Sequence, residues 1–484
     1  FGKTHKGLTL LNVMQKAKSK KYIIATTIAV AAIAALLTWW LWPKGYEDFI
    51  PAQSKAVIRI SPAKIKDQAG GQTLPACLGK MMAGTTSGID MSKPIYAFIT
   101  PNEYFCITAK IDNEDEFARA LEQKAKLNTG NIDKSDGRNW AWINSGWLVS
   151  WDNSNVLCIG PGVAKERDLL HQTITAMINS GDNFTSTDAF NKLKAIDGSI
   201  QIYTQLDAVP APYNMLFRLG VPPDCDPAAI HVFAAANVKR SKQGQLTMSD
   251  INCEITSDNN DIISAINAFE QSKGCITPPP TATTAGHLLF MATRAQGKPL
   301  LQLLKTDATL RGLLMGLNQT FDADQMIGST DGLFSIAIDA FGKDWTPSFC
   351  MKAETHTSHL FDDANYWLQS AHKQKNVLLK QLSDHAFYLS SDKQQLNFGL
   401  QDCNNALYFA SPQMIGEAKK PFGFNKSNSA NGTLVYISLD VNGLLKQPCF
   451  EQGGLHDLIR KFTLGAQHIT YQAMSGRKAT ISIE

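Results

Sequence analysis

This chain of 484 residues lacks most of the short signatures that tie a sequence to a chemistry. It has no Cys-x-x-Cys, no His-Glu-x-x-His, no Gly-x-Ser-x-Gly and no Lys-Thr-Gly, so zinc, thioredoxin-like, zincin, hydrolase and penicillin-binding chemistry are without their usual anchors. Net charge is equally scarce, at +3. Residues 1–42 hold six Lys and no Asp or Glu; setting those six aside leaves 40 basic against 43 acidic residues, a remainder near −3. A body so close to neutral has no overall electrostatic reason to bind nucleic acid. The nine cysteines are odd in number, and several sit in apolar strand-like runs, Cys106 in Tyr104–Ala109, Cys158 in Val156–Ile159 and Cys350 in Phe349–Met351. They read as buried small hydrophobes, with Cys225, Cys275 and Cys449 in loops left as candidates for one or two disulfides.

What is present begins with an apolar run. Tyr22 to Trp42 contains no charged residue, and its length of roughly 31 Å suffices to cross a hydrocarbon core. Lys16, Lys18, Lys20 and Lys21 precede it, which predicts a cytoplasmic N-terminus and exported bulk. Tyr22 marks one interface, Trp39, Trp40 and Trp42 the other, and Pro43 ends the helix. The first cysteine is Cys77, so no lipid-acceptor cysteine follows the run. The Ala-x-Ala pairs lie within it rather than after it, which favours a retained anchor over a cleaved signal peptide. Ala25/Ala29 and Ala31/Ala35 are small-xxx-small pairs through which two anchors can pair into a homodimer.

The remaining ~440 residues exceed one compact core. Gly274 to Gly286, with Pro278-Pro279-Pro280, reads as an extended linker. The expected organisation is therefore a basic tail (1–21), an anchor (22–42), a juxtamembrane linker (43–54), a first module (55–273), a Pro/Thr-rich linker (274–286) and a second module (287–484). The halves share patterns in the same order. Phe105–Lys110 matches Phe349–Glu354, Asp152–Leu157 matches Asp402–Leu407, and Ile202–Asp207 matches Val435–Asp440. His231–Ala235 with Gln245–Ser249 matches His468–Gln472 with Lys478–Ser482. Ordered recurrence of this kind indicates an internal duplication. Strand-like runs lie at 56–61, 95–100, 104–111, 140–151, 156–159 and 199–206. The helical stretch 114–127 starts behind Asp112 as N-cap, with Phe117, Leu121 and Ala125 on one face, and further helices fall at 165–178 and 188–196. The expected fold is α+β: one N-terminal transmembrane helix, then two similar domains with largely antiparallel sheets and helices on one face.

The single export segment and these paired motifs resemble envelope proteins of Bacteroides and its relatives that are grouped as a domain of unknown function. The resemblance implies a Gram-negative host and a periplasmic body at the inner membrane. It implies no activity for any residue.

Candidate chemistry is sparse. Ser61-Pro-Ala-Lys64 is a Ser-x-x-Lys, and Ser257-Asp258-Asn259 a Ser-Asp-Asn, but Ser370/Lys373, Ser390/Lys393 and Ser475/Lys478 repeat the first pattern cheaply. Gly160-Pro-Gly162 lacks the ending of a phosphate loop, and its match in the second half is Ala410-Ser-Pro412. Asp322, Asp324 and Asp331 miss calcium-loop spacing. His356 and His359 can share a helix face beside Glu354, Asp362 and Asp363, although a polar helix start explains them as well. His231 and His468 occupy equivalent strand starts, which suggests one structural role. Asp207 and Asp440 end matching strands as caps. Trp140, Trp142, Trp147 and Trp151 read as core. No catalytic residue, metal ligand or cofactor site is assigned. The expected function is an interaction or scaffold subunit docked to another membrane or periplasmic protein at the lipid bilayer; the alternative is an enzyme or small-ligand binder with its site between the modules.

Overall fold

The computed structural model describes residues 45–68, 88–125, 132–143, 146–209, 221–222, 224–240, 246–248, 250–306, 308–357, 359–391, 395–401, 405–429, 432–450 and 466–484. Its first strands are β1 (Ala56–Ile60), β2 (Ile95–Ile99), β3 (Phe105–Lys110), β4 (Ile132–Ser135), β5 (Arg138–Ile143), β6 (Trp147–Trp151) and β7 (Asn155–Gly160). There follow β8 (Ile200–Gln205), β9 (His231–Ala236), the pair β10 (Val238–Arg240) and β11 (Leu246–Met248), and β12 (Ile251–Thr256). Beyond residue 274 come β13 (Cys275–Ile276), β14 (Leu289–Gln296), β15 (Thr330–Phe341), β16 (Pro347–Thr355), β17 (Val377–Ser383) and β18 (Ala386–Ser391). The set closes with β19 (Gln395–Leu400), β20 (Ala406–Ala410), β21 (Lys426–Ser427), β22 (Thr433–Asp440), β23 (His468–Met474) and β24 (Lys478–Ile483).

Hydrogen bonding orders the first set as β4-β5-β6-β7-β3-β2-β1-β8-β9-β12, every neighbour antiparallel. The second set runs β17-β18-β19-β20-β16-β15-β14-β22-β23-β24, again antiparallel throughout. The order is the same from outer end to inner end. The inner ends meet, because β12 pairs antiparallel with β24. The two halves thus form one continuous sheet, with β13 and β21 joined alongside the start of β22.

The principal helices are α1 (Pro62–Gln68), α2 (Glu114–Ala125), α3 (Arg167–Asn179), α4 (Asp188–Ala195), α5 (Asn260–Lys273), α6 (Gly297–Thr306), α7 (Ala308–Asn318), α8 (Ala323–Gly328), α9 (Ala364–His372) and α10 (Ile415–Ala418). They cover both faces of the sheet. In the first half, Leu170 and Ile174 of α3 and Leu193 of α4 pack with Phe98, Leu148 and Leu157. On the other face Phe117 and Leu121 of α2 pack with Ile107, Val149 and Trp151. In the second half, α7, α8 and α9 share a core with Phe387, Phe398 and Phe409, while α10 and Phe424 cover Phe290, Cys350 and Tyr408. Two covered faces explain why strands such as Ala406–Ala410 are apolar without alternation.

These findings correct the expected architecture. The sheet is single and continuous across the halves, not two separate domain sheets, and helices lie on both faces rather than one. Among the described residues no helix is long and apolar enough to cross a membrane. The longest, α5, has 14 residues, about 21 Å against the ~30 Å of a hydrocarbon core. The expected span 22–42, with Tyr22, Trp39, Trp40 and Trp42 and the preceding Lys16, Lys18, Lys20 and Lys21, lies outside the described residues. The fold class with a transmembrane helix and the single-pass inner-membrane placement with a periplasmic body are accordingly withdrawn.

Several local expectations shift as well. The stretch 274–286 contains β13 and a helical turn at Thr281–Thr284 rather than only extended chain. Asn113, not Asp112, caps α2, its side chain accepting from Glu116 N–H at 3.0 Å. The ladders align Cys106 with Cys350 and His231 with His468, but they align Asn155 with Ala406 and Tyr203 with Ser438, slips of one and two residues from the sequence matches. The counterpart of β24 is β12; residues 246–248 of the matched stretch form β11, which pairs with the inserted β10.

Candidate functional site

The connection from β14 to β15 carries α6, α7 and α8, and its leucines repeat at helical spacing. Asp322 caps α8 by accepting from Gln325 N–H at 2.9 Å. Asp324 ties the three helices together. Its carboxylate takes Lys305 Nζ of α6 and, at 2.9 Å, Asn318 Nδ2 of α7, and its own N–H returns to Asn318 Oδ1 at 3.0 Å. Hydrogen bonds from Lys305 and Asn318 hold that carboxyl below its ordinary range against the opposing effect of burial. The aspartates that resembled a calcium loop therefore serve as a cap and a brace, and Asp331 is exposed at the start of β15.

Between these helices and the face of β15, β16, β19 and β20 lies a cavity of about 980 Å³. Leu304, Leu314, Leu317 and Ile327 line it from the helices; Ile336, Ile338, Phe349, Met351, Leu396 and Phe409 line it from the sheet. Phe409 continues a stack of rings through Phe398 and Phe387 to Phe361, with centroids 5.9, 5.4 and 5.5 Å apart. The polar lining is Thr346, Ser348, Ser391, Gln395, Ser411 and Gln413, all uncharged. Ser411 Oγ is engaged with Phe349, accepting from its N–H at 2.8 Å and donating to its carbonyl at 3.1 Å. Asp339 is the one ionisable residue among the described lining residues, and its Oδ1 stands 2.5 Å from His287 Nδ1. Among the described residues no lysine or arginine lines the cavity.

The repeat explains why space exists here. Cys106 faces Ile159, which faces Leu148; Cys350 faces Ala410, which faces Asn397. Leu148 and Asn397 correspond, so one residue earlier Trp147 corresponds to Leu396. In the first half the Trp147 ring packs edge-on against Phe105 at 5.9 Å. In the second half Phe349 keeps its place, and a leucine stands where the indole would be.

The residues singled out from sequence go elsewhere. Ser61 does precede a helix, with Pro62 at its first position, yet Lys64 pairs with Asp197 at 3.0 Å rather than with Ser61. A Cβ on Gly160 would lie 2.8 Å from Gly146 O, and one on Gly162 would lie 2.8 Å from the Leu170 side chain, while Gly162 N–H donates to Gly146 O at 2.7 Å, so close packing accounts for both glycines. His356 and His359 share no helix: His359 bonds Asp362 at 3.0 Å in a 3-10 turn, and α9 begins only at Ala364. His468 Nε2 meets Ser438 Oγ at 3.0 Å, and the matching His231 packs against the matching Tyr203 at 5.5 Å. Ser438 is only 1 % exposed, which denies that pair a substrate. Asp440 caps the turn after β22, whereas Asp207 lies past the corresponding position, which Gln205 fills. Trp140 stacks on His171 at 3.9 Å and Trp151 meets Phe117 at 5.8 Å, both in the core. Cys225, Cys275 and Cys449 are free thiols. The cavity residues were missed; the leucine-rich insertion 297–328 was the available signal.

No family model matches the chain, and no curated protein is similar to it. Two solved structures are similar to part of it. The structure of crystal form IV of TP0453 is 11% identical over 43% of this chain and 79% of its own, with a TM-score of 0.27. That of crystal form I is 10% identical over 49% of this chain and 89% of its own, with a TM-score of 0.29. Likeness at this level carries no argument about fold or function.

Proposed function

We propose that the protein binds an elongated apolar molecule, such as a hydrocarbon chain, in the second-half cavity and holds it without chemical change. The observation that carries this reading is an apolar space of about 980 Å³ whose sole ionisable described lining residue is already paired. That volume is at the upper end of ordinary ligand sites. Among the described residues the lining has no cationic side chain to pair with a buried carboxylate or phosphate, which would be costly to desolvate. The hydroxyl of the lining Ser411 is bonded to the Phe349 backbone rather than to a histidine, which favours holding over turnover there. It lies within one half rather than between the two. Titration of the purified chain with a pyrene-labelled fatty alcohol tests the reading. Leu396→Trp, which restores the first-half residue, should weaken binding at least about tenfold, or 1.4 kcal/mol, with no fall in melting temperature. Wild-type affinity in that variant would sink the proposal.

A second reading, docking of a protein partner, is favoured by the outer strand β17. Among the described strands it has one ladder neighbour, β18, and Leu378 and Leu382 are each 54% exposed. Uncovered edges of this kind accept further strands. The opposite edge strand, β4, is short and charged, with Asp133 bound to Arg167 at 2.6 Å. Purification from the native source should yield a stoichiometric partner that the Leu378→Lys/Leu382→Lys variant loses. A wild-type chain that remains a lone monomer counts against docking.

A further inference from the structure

The hairpin β15–β16 forms one wall of the cavity, and its tip lies at the cavity's edge. Phe341, Gly342, Thr346 and Pro347 line the space. Between them the chain turns through Lys343, Asp344 and Trp345. Gly342 N–H donates to Thr346 O at 2.9 Å and Trp345 N–H to Gly342 O at 3.1 Å, with Trp345 in the left-handed region at φ +68°. The first half closes its own hairpin β2–β3 with the same turn. Thr100 N–H donates to Tyr104 O at 2.9 Å, Glu103 N–H to Thr100 O at 2.9 Å, and Glu103 has φ +66°.

The shared turn serves as an internal control. It shows that the unusual backbone belongs to the turn type and not to the side chain it presents. What differs is that side chain and its reach. Glu103 pairs with Lys55 at 2.8 Å; in its place stands Trp345, an indole that is 48% exposed and has Phe341 among its neighbours at 6.3 Å. The second-half hairpin also reaches further, β15 running to Phe341, three residues past Ile338, the counterpart of Ile99 at the end of β2. A large exposed indole is set at the end of an extended arm, beside the rim of a space lined by hydrocarbon.

We infer that the cavity exchanges its occupant with a lipid surface, the β15–β16 tip docking at the interface with Trp345 as the inserted side chain. This rests on the apolar-ligand reading above. Indole is the side chain best suited to a boundary that is apolar on one side and wet on the other. Lys343 and Asp344 flank it with opposite charges, and Asp344 is occupied by Thr346, whose hydroxyl donates to Oδ2 at 2.7 Å. The tip is thus neutral overall, and docking should depend little on lipid charge or on salt. The contact is superficial, made by a turn of five residues, and requires no span.

The test measures uptake of a pyrene-labelled fatty alcohol by the full chain along two routes: from phosphatidylcholine vesicles, and as monomer released from cyclodextrin. Trp345→Glu, which installs the first-half residue, should slow uptake from vesicles about tenfold, the scale set by keeping one large aromatic side chain out of an apolar environment. Uptake of the monomer should be unchanged, and Trp345→Phe should restore most of the vesicle rate. Equal vesicle rates in wild type and Trp345→Glu, with monomer uptake intact, would overturn the inference and leave the cavity reading standing. Failure of wild type to take up the probe by either route would overturn both.

Discussion

Lys273 ends α5 with its side chain only 6% exposed. Burial pushes its ammonium down to about 8, with the neighbouring Cys275 and Glu270 opposing the shift. A lysine whose folded value lies below its unfolded one contributes stability above the unfolded pKa and loses it as pH falls through the folded one. The window is therefore about pH 8 to 10.5. Across it the wild type should gain on the order of 2–3 kcal/mol relative to Lys273→Met, read as the difference in denaturant midpoints at pH 7.5 and 10. A constant difference would show that the buried ammonium is not the cause. From sequence, Lys273 looks like a solvated residue complementing a helix C-terminus. Its burial depends on residues far along the chain: α5 packs against β14, and Arg294 of β14 crowds Gly274. The same limit applies to Leu396, which is unremarkable until the ladders place it in register with Trp147 of the other half.

At the scale of elements, α5 of the first half holds the last hairpin of the second. Glu270 accepts from Gly476 N–H at 2.9 Å and Arg477 N–H at 3.1 Å, at the turn between β23 and β24. Burial raises its carboxyl value, and those two amides oppose the rise. Glu270→Ala leaves both amides without that acceptor and should cost about 1.5–3 kcal/mol. Hydrogen exchange should quicken first in β23 and β24; unchanged protection there would rule out the clamp. Elements with strong local signals were legible. Phe117 and Leu121 share the buried face of α2, and 188–195 forms a helix with Thr187 as its cap. The register between repeats was not, because the inserted β10–β11 hairpin supplied a false match and a slip of one residue leaves an apolar strand looking the same when both of its faces are covered. The capping helices α6 to α8 went unread although their leucine spacing was visible.

For the whole molecule, the repeated order of strands was foreshadowed by the recurring motifs, but their union into one sheet was not. That union rests on four residue pairs between β12 and β24, Ile251–Ile481 to Glu254–Lys478, and pairing between segments more than two hundred residues apart leaves no local trace in composition. The apolar cavity was equally hidden, since a space is defined by what several distant elements fail to fill. The strand thiols Cys106, Cys158 and Cys350, by contrast, were read as small interior hydrophobes and are buried, whereas the loop candidates for a disulfide, Cys225, Cys275 and Cys449, are unbridged; together the thiols carry a consequence for the conditions the protein tolerates. All seven described cysteines are unbridged, six of them buried, and burial lifts Cys158, Cys253 and Cys350 to about 12. Thiols in that state are almost entirely protonated at neutral pH and react slowly with disulfides or peroxide. The described body accordingly has no oxidative staple to lose and little reactive sulfur to damage, so its stability should be indifferent to the glutathione balance around it.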